Sequence, residues 1–265
     1  MSTAAVTLPP ARALPRPRLP GGLLSLLVLA AAWEAAGHLL GSLLLPPLSQ
    51  VAAAWVRLLQ SGQLLASLAV SLGTLLAGFT LALALGLAVG LLMGRFRRVE
   101  QFLDLYIDAL MAAPSVAFIP VLVLWLGLGV ASRIAVVFLF AFFVIVVNTR
   151  TGVRQVDPTL VEMARSFGAR GRELFLKVEL PASLPMIMAG VRLGMGRAVK
   201  GMINAEVLLA LAGLGALIMQ YGSAFATDAL YAIIFTVLTV ALLATEVIHW
   251  LDHRLSRWKV EVGLE

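Results

Sequence analysis

Long apolar runs, separated by short stretches that carry arginine, proline and glycine, set the pattern of this chain. A helix needs about 20 apolar residues to cross a hydrocarbon core of roughly 30 Å. Measured against that length, the runs at 22–41, 66–93, 105–126, 131–149, 185–211 and 229–250 predict six crossings and an all-α membrane protein. Between the first two runs, Pro46, Pro47 and a weakly amphipathic stretch around Trp55 and Leu59 predict a helix lying at the membrane interface.

One polar stretch interrupts the apolar pattern: residues 157–181, DPTLVEMARSFGARGRELFLKVELP. Asp157 is an N-cap residue followed by Pro158 at the first helical position, and Gly168 is placed to end the helix in the left-handed conformation. Between them Leu160, Met163, Ala164 and Phe167 fall at i, i+3, i+4 and i+7, one apolar stripe on a short helix. Arg165, Arg170, Arg172 and Lys177 keep the rest of the segment in water, and Pro181 is predicted to stop a second short helix. An apolar stripe on a water-exposed segment calls for a partner surface.

Composition agrees with the pattern. Hydrophobic residues make up 61% of the 265 and charged residues 13%, about half the charge of a soluble domain. There is no cysteine, which excludes disulfides and cysteine-held metal. The net charge of +6 is spread over short loops rather than gathered on one face, so it points to membrane orientation and not to nucleic acid. Fifteen cations fall in one set of alternate loops: Arg12, Arg16, Arg18, Arg95, Arg97, Arg98, Arg150, Arg154, Arg165, Arg170, Arg172, Lys177, Arg254, Arg257 and Lys259. Only Arg57 and Arg133 fall in the other. By the positive-inside rule both termini and the 157–181 segment are cytoplasmic. Residues 1–20, rich in proline and arginine and without an acid, read as a disordered basic tail before an uncleaved first helix. A membrane domain then covers 21–258, and 259–265 form a short cytoplasmic tail.

Several polar residues sit within the apolar runs. Pro114 and Pro120 each remove a backbone donor and should bend or open the third run; Pro114 and Ser115 then either line a pathway or mark a structural kink. The fifth run holds Arg192, Arg197, Lys200, Asn204 and Glu206. Charge at that depth costs about 2.5–3.5 kcal/mol on insertion scales, so Lys200 and Glu206 should face a cavity or find a partner. Two readings stay open: a cationic patch along an anion pathway, or pairing of Lys200 or Arg197 with Glu206, Asp104 or Asp108. Asn148 is a further candidate for the pathway. Gly86, Gly90 and Gly94, four residues apart, predict close helix packing, within the chain or between subunits.

The 157–181 segment resembles the EAA loop of permeases of ATP-binding-cassette (ABC) importers. That signature is Glu-Ala-Ala, then glycine after three residues, then Ile-x-Leu-Pro after nine more. This chain has Glu162-Met163-Ala164, Gly168 and Val178-Glu179-Leu180-Pro181 with every spacing kept; Met163 and Val178 are the two departures. Ser71-Leu72-Gly73, Ala113–Pro120, NTRTGVRQVD at 148–157, LPMIMAGVRLGMGR at 184–197, and Ala205-Glu206 followed by Gly213-Leu214-Gly215 are similar to the nitrate, sulfonate and taurine branch. The resemblance implies a type I importer transmembrane domain in the bacterial inner membrane. It implies that Glu162, Met163, Ala164, Phe167 and Gly168 form a coupling helix docked on a cytoplasmic ATPase. It further implies a permease homodimer, two ATPase subunits, an outer solute-binding protein and a small anionic solute. The chain itself would bind no nucleotide, cofactor or metal and catalyse no reaction; it has no GxxxxGK[ST] stretch. Relatives that handle heterocyclic vitamin precursors or bicarbonate keep the solute open. A proton-coupled carrier using Asp104, Asp108 and Glu206 is the rival from another class. A membrane enzyme is disfavoured, because His38, His249 and His253 form no ligand cluster with carboxylates and there is no GxSxG elbow.

Overall fold

The computed structural model describes residues 21–41, 43–209 and 211–255; the tails at 1–20 and 259–265 lie outside the described residues. Among the described residues every regular element is helical. In order they are α1 (Gly21–Leu40), α2 (Leu48–Gln60), α3 (Gln63–Arg95), α4 (Arg97–Ala112), a 3₁₀ turn (Ser115–Phe118) and α5 (Ile119–Leu126). After them come α6 (Val130–Arg154), α7 (Pro158–Ser166), α8 (Gly171–Leu174), a π-turn (Phe175–Glu179), α9 (Leu180–Leu209), α10 (Leu214–Ser223) and α11 (Thr227–Leu255).

By length and composition four of the helices can cross a membrane: Gln63–Arg95, Val130–Arg154, Gly171–Leu209 and Thr227–Asp252. The pair Arg97–Ala112 and Ser115–Leu126, bent by 98°, makes a fifth if it is one span. The run expected as the first crossing is α1, whose apolar part Leu24–Leu40 is shorter than these. The expected interfacial stretch is α2. It buries Val51, Ala54 and Leu58, while the Trp55 indole N–H donates to Thr236 Oγ1 at 3.1 Å.

Between lipid-facing helices there is no water to expel, so association depends on how closely backbones approach. Helix α6 lies at the centre, with α3 along one side and α9 along the other. The stripe Gly78, Gly86, Gly90 and Gly94 of α3 faces α6: a Cβ at these positions would come within 2.6–2.9 Å of Val137, Ile145, Thr149 or Val153 side chains. Gly190, Gly194 and Gly201 of α9 meet Asn148, Ile145 and Phe140 on the other side of α6 in the same way. Of the two readings left open for the α3 glycines, the structure shows packing within the chain. Ile145, fully buried, is gripped from both sides. A second cluster ties α2, α10 and α11 through Val51, Ala54, Leu58, Leu214, Leu217, Ala232 and Ile233.

Two proline expectations need correction. The break in the third run lies at Ala113–Pro114, where Ala113 is extended (φ −70°, ψ 145°), the conformation that a following proline favours. Pro120 instead sits in the first turn of α5, where no backbone donor is needed, so it starts a helix and kinks none. Pro181 does not stop the chain either. The helix runs on from Gly171 to Leu209 through the π-turn, whose wider winding immediately before Pro181 leaves room for a ring that would clash with a regular preceding turn.

Candidate coupling segment and polar helix face

Helix α7 has the ends that its sequence dictates. The Asp157 carboxylate accepts from the Thr159 N–H at 2.8 Å, and Pro158 occupies the first turn. At the other end Gly168 adopts φ +93°, allowing its N–H to reach Arg165 O and the Ala169 N–H to reach Ala164 O. A side chain at 168 would meet no atom within 4 Å, so conformation alone requires glycine there. No residue of α7 is buried. Phe167 is 86% exposed and Met163 52%, and Glu162 beside them is exposed too, while Leu160 and Ala164 are half-covered. A capped, rigid helix that shows its apolar stripe outward has the form of a docking element.

The base of this element is fastened to α3. Arg95 Nη1 donates to Glu179 Oε2 at 3.1 Å, its Nη2 to Gly171 O at 3.4 Å, and its guanidinium lies 5.4 Å from the centre of the Phe175 ring. One side chain thus holds the start, middle and end of the α8–π-turn stretch. Lys177 bonds Glu173 at 2.6 Å one turn away. Sequence reasoning did not single out Arg95, since its contacts lie 76 and 84 residues along the chain.

Along α9, exposed Leu193, Arg197, Lys200 and Leu208, with half-buried Asn204 among them, fall on one face. The glycines packed on α6, Gly190, Gly194 and Gly201, border that face, roughly 60° round the helix from it. The pairings entertained for these cations do not form: among the described residues neither Arg197 nor Lys200 has an ion pair. Asp104 pairs instead with Arg150, and Glu100 with Arg154, both across the α4–α6 contact. Arg192 reaches His249 of α11 at 3.4 Å. Asn148 points into the α6–α9 contact, with its amide donating to Val144 O at 2.8 Å and its Cβ against Gly190. Pro114 is exposed and Ser115 half-buried at the elbow between α4 and α5.

Glu206 stands apart from the Arg197–Lys200 face. It is fully buried, and its Oε2 accepts from Ser71 Oγ at 2.8 Å and from the Gly215 N–H at 3.0 Å. Ser71 Oγ in turn accepts from the Leu214 N–H at 2.9 Å. The carboxylate and the hydroxyl therefore satisfy the first two N–H groups of α10. The similarity of Ser71 and of Gly213–Gly215 to a known branch drew attention to these stretches, but nothing local joins Ser71 to a residue 135 positions away.

Residues 82–257 match the family model for the binding-protein-dependent transport system inner membrane component. The chain is 38% identical over 232 residues to the putative aliphatic sulfonates transport permease SsuC of Escherichia coli K12, covering 87% of this chain and 88% of that protein. It is 36% identical to the riboflavin transport system permease RibX of Chloroflexus aurantiacus, covering 89% and 88%. It is 31% identical to the taurine transport system permease TauC of E. coli K12, covering 90% and 89%. A solved amino acid ABC transporter shares the fold, with a TM-score of 0.60 at 15% identity over 77% of this chain and 97% of that one. A multi-pass helical chain with a capped, outward-facing helix at the EAA positions thus meets its relatives along most of its length, and it belongs to the family of inner-membrane permease components of binding-protein-dependent ABC transporters.

Proposed function

We propose that this chain forms the translocation pathway of an importer for a small organic anion of the sulfonate or taurine type, driven by ATP hydrolysis on a separate subunit. The observation that carries the reading is the exposed apolar stripe of α7, capped at both ends and followed at once by the helix that continues into α9, whose base Arg95 fastens to α3. A stiff element transmits a displacement that a loose loop would absorb, and coupling requires a contact that differs between two states. Two copies of the chain, each crossing the membrane six times with both ends in the cytoplasm, would place their α7 helices on two ATPase subunits. Nucleotide-driven closure would draw the α7 helices together and turn the pathway outward to a solute-binding protein.

The anionic solute is supported by Arg197 and Lys200. Without an ion pair, two cations and Asn204 on one exposed face are costly against lipid and acceptable against a water-filled pathway. Pro114 and Ser115 at the α4–α5 elbow are the further pathway candidates. Glu206 is fully buried within the subunit, and Asn148, half-buried at the α6–α9 contact, stays the weaker candidate. The relation to RibX favours a second reading, a heterocyclic solute. The proton-carrier reading is weakened because Asp104 is paired with Arg150 and Glu206 holds the start of α10.

The test is reconstitution in proteoliposomes with the ATPase subunit and binding protein encoded nearest to this chain. ATP-dependent uptake of taurine or an alkanesulfonate supports the proposal. Uptake of riboflavin in place of the sulfonates overturns the solute, and uptake driven by a proton gradient with no ATPase overturns the importer.

A further inference from the structure

From the Ser71, Glu206 and Gly213–Gly215 cluster we infer that Glu206 is a positioning residue: it clamps the short helix α10 onto the far end of the rod that starts at the coupling segment. The inference builds on the importer reading, but its geometry stands independently. Helix α10 is not continuous with α9; the chain turns at Gly213, with φ +92°, before α10 begins. A Cβ on Gly213 would lie 2.3 Å from the Glu206 carboxyl carbon, and one on Gly215 would lie 2.5 Å from Glu206 Cβ. The turn is therefore wrapped directly on the carboxylate, and two glycines are what permit it.

The bonding is reciprocal. Glu206 Oε2 takes the Gly215 N–H and the Ser71 hydroxyl, and Ser71 Oγ takes the Leu214 N–H, so α3 and α9 together cap α10. Two helices of the scaffold, α3 and α9, thus converge on the start of α10. The rod from Gly171 to Leu209 has 39 residues, about 58 Å at 1.5 Å per residue, with α7 at one end and this clamp at the other. A tilt of the rod set by α7 carries Glu206 with it, and Glu206 carries α10. Clamped, α10 moves with the rod; unclamped, the rod moves alone.

Hydrogen exchange of the full chain in lipid nanodiscs, followed by mass spectrometry, reads the clamp without any partner. Glu206→Ala and the milder Ser71→Ala each remove capping bonds, which should speed exchange across 214–223 about tenfold while 158–166 stays as in the wild type. Glu206→Gln keeps a carbonyl acceptor and should stay within about threefold of wild type. Unchanged exchange of α10 in both Glu206→Ala and Ser71→Ala overturns the clamp. The second arm uses the reconstituted transporter: Ser71→Ala and Glu206→Ala should still hydrolyse ATP while solute moved per ATP falls about tenfold, a ratio that mere loss of folded protein leaves untouched. A loosened α10 with a normal ratio overturns the mechanical role. If wild-type protein couples no ATP to uptake, the importer reading fails, and the exchange arm alone decides the clamp.

Discussion

Arg95 at the end of α3 and Glu179 at the end of the π-turn face each other with 3.1 Å between Nη1 and Oε2, and the same guanidinium covers the Phe175 ring. The pair joins one of the two helices packed along α6 to the base of the coupling segment. Since Glu179 is largely buried, removing Arg95 alone strands its carboxylate, at a cost of about 1–3 kcal/mol. Arg95→Ala and Glu179→Ala should each lower the unfolding midpoint in detergent, while the double variant should be less destabilised than the two single effects combined. Strict additivity would show that the pair does not hold the segment.

The outward stripe of α7 gives a prediction with the opposite balance. Phe167→Asp touches no buried contact, so the chain's own stability should change by less than about 0.5 kcal/mol. Affinity for the ATPase subunit should fall by about thirtyfold or more, the loss expected of an aromatic anchor. Pull-down with the purified ATPase subunit measures it. Normal association would remove α7 from the interface.

Gly168→Val separates conformation from contact. There is open space at the site, yet φ +93° strains any β-branched residue, so the end of α7 should fray. Reduced ATPase association or transport at equal membrane abundance is expected, and Glu162→Lys on the same exposed surface should act alike. Wild-type uptake by both would count against a coupling role.

The glycine stripe makes a stability prediction with an internal control. Gly90→Val places a side chain 2.6 Å from Thr149 Cβ and 2.8 Å from Val146 O, so α3 must move off α6; a loss of about 1–3 kcal/mol is expected. Gly73→Ala and Gly196→Ala meet nothing within 4 Å and should leave thermal stability unchanged or slightly raised. Equal effects at Gly90 and Gly73 would mean that the α3–α6 approach does not limit stability.

For the polar face of α9, Lys200→Gln and Arg197→Gln should raise the solute concentration for half-maximal uptake severalfold with assembly intact. The chain has no native cysteine, so single Cys replacements at 193, 197, 200 and 204 can be labelled without interference. Labels reaching these positions in water, and blocked by solute, would support the pathway. Labelling from the lipid phase alone would refute it.

What the sequence made legible follows the reach of each interaction. The capping of α7 by Asp157 and its termination at Gly168 act within a turn or two, and both could be read directly. The α3 glycines announced a close approach but not the partner, because periodicity marks a face and says nothing of what covers it. Pro181 misled, since a local rule about proline cannot foresee a π-turn that makes room for the ring. The Asp104–Arg150 pair and the Ser71–Glu206 bond were out of reach for a simpler reason: each depends on which helices the fold sets side by side.

The elbow at Pro114 has a consequence for the lone subunit. Beyond the elbow the helical stretch Ser115–Leu126, of which α5 is eight residues or about 12 Å, bends by 98° from α4, too short to cross a core roughly 30 Å deep. Carbonyls freed at a break of this kind within a membrane need protein or water to receive them. In the proposed two-copy assembly a neighbour or a column of water would receive them, so a lone copy is expected to insert less well than a pair.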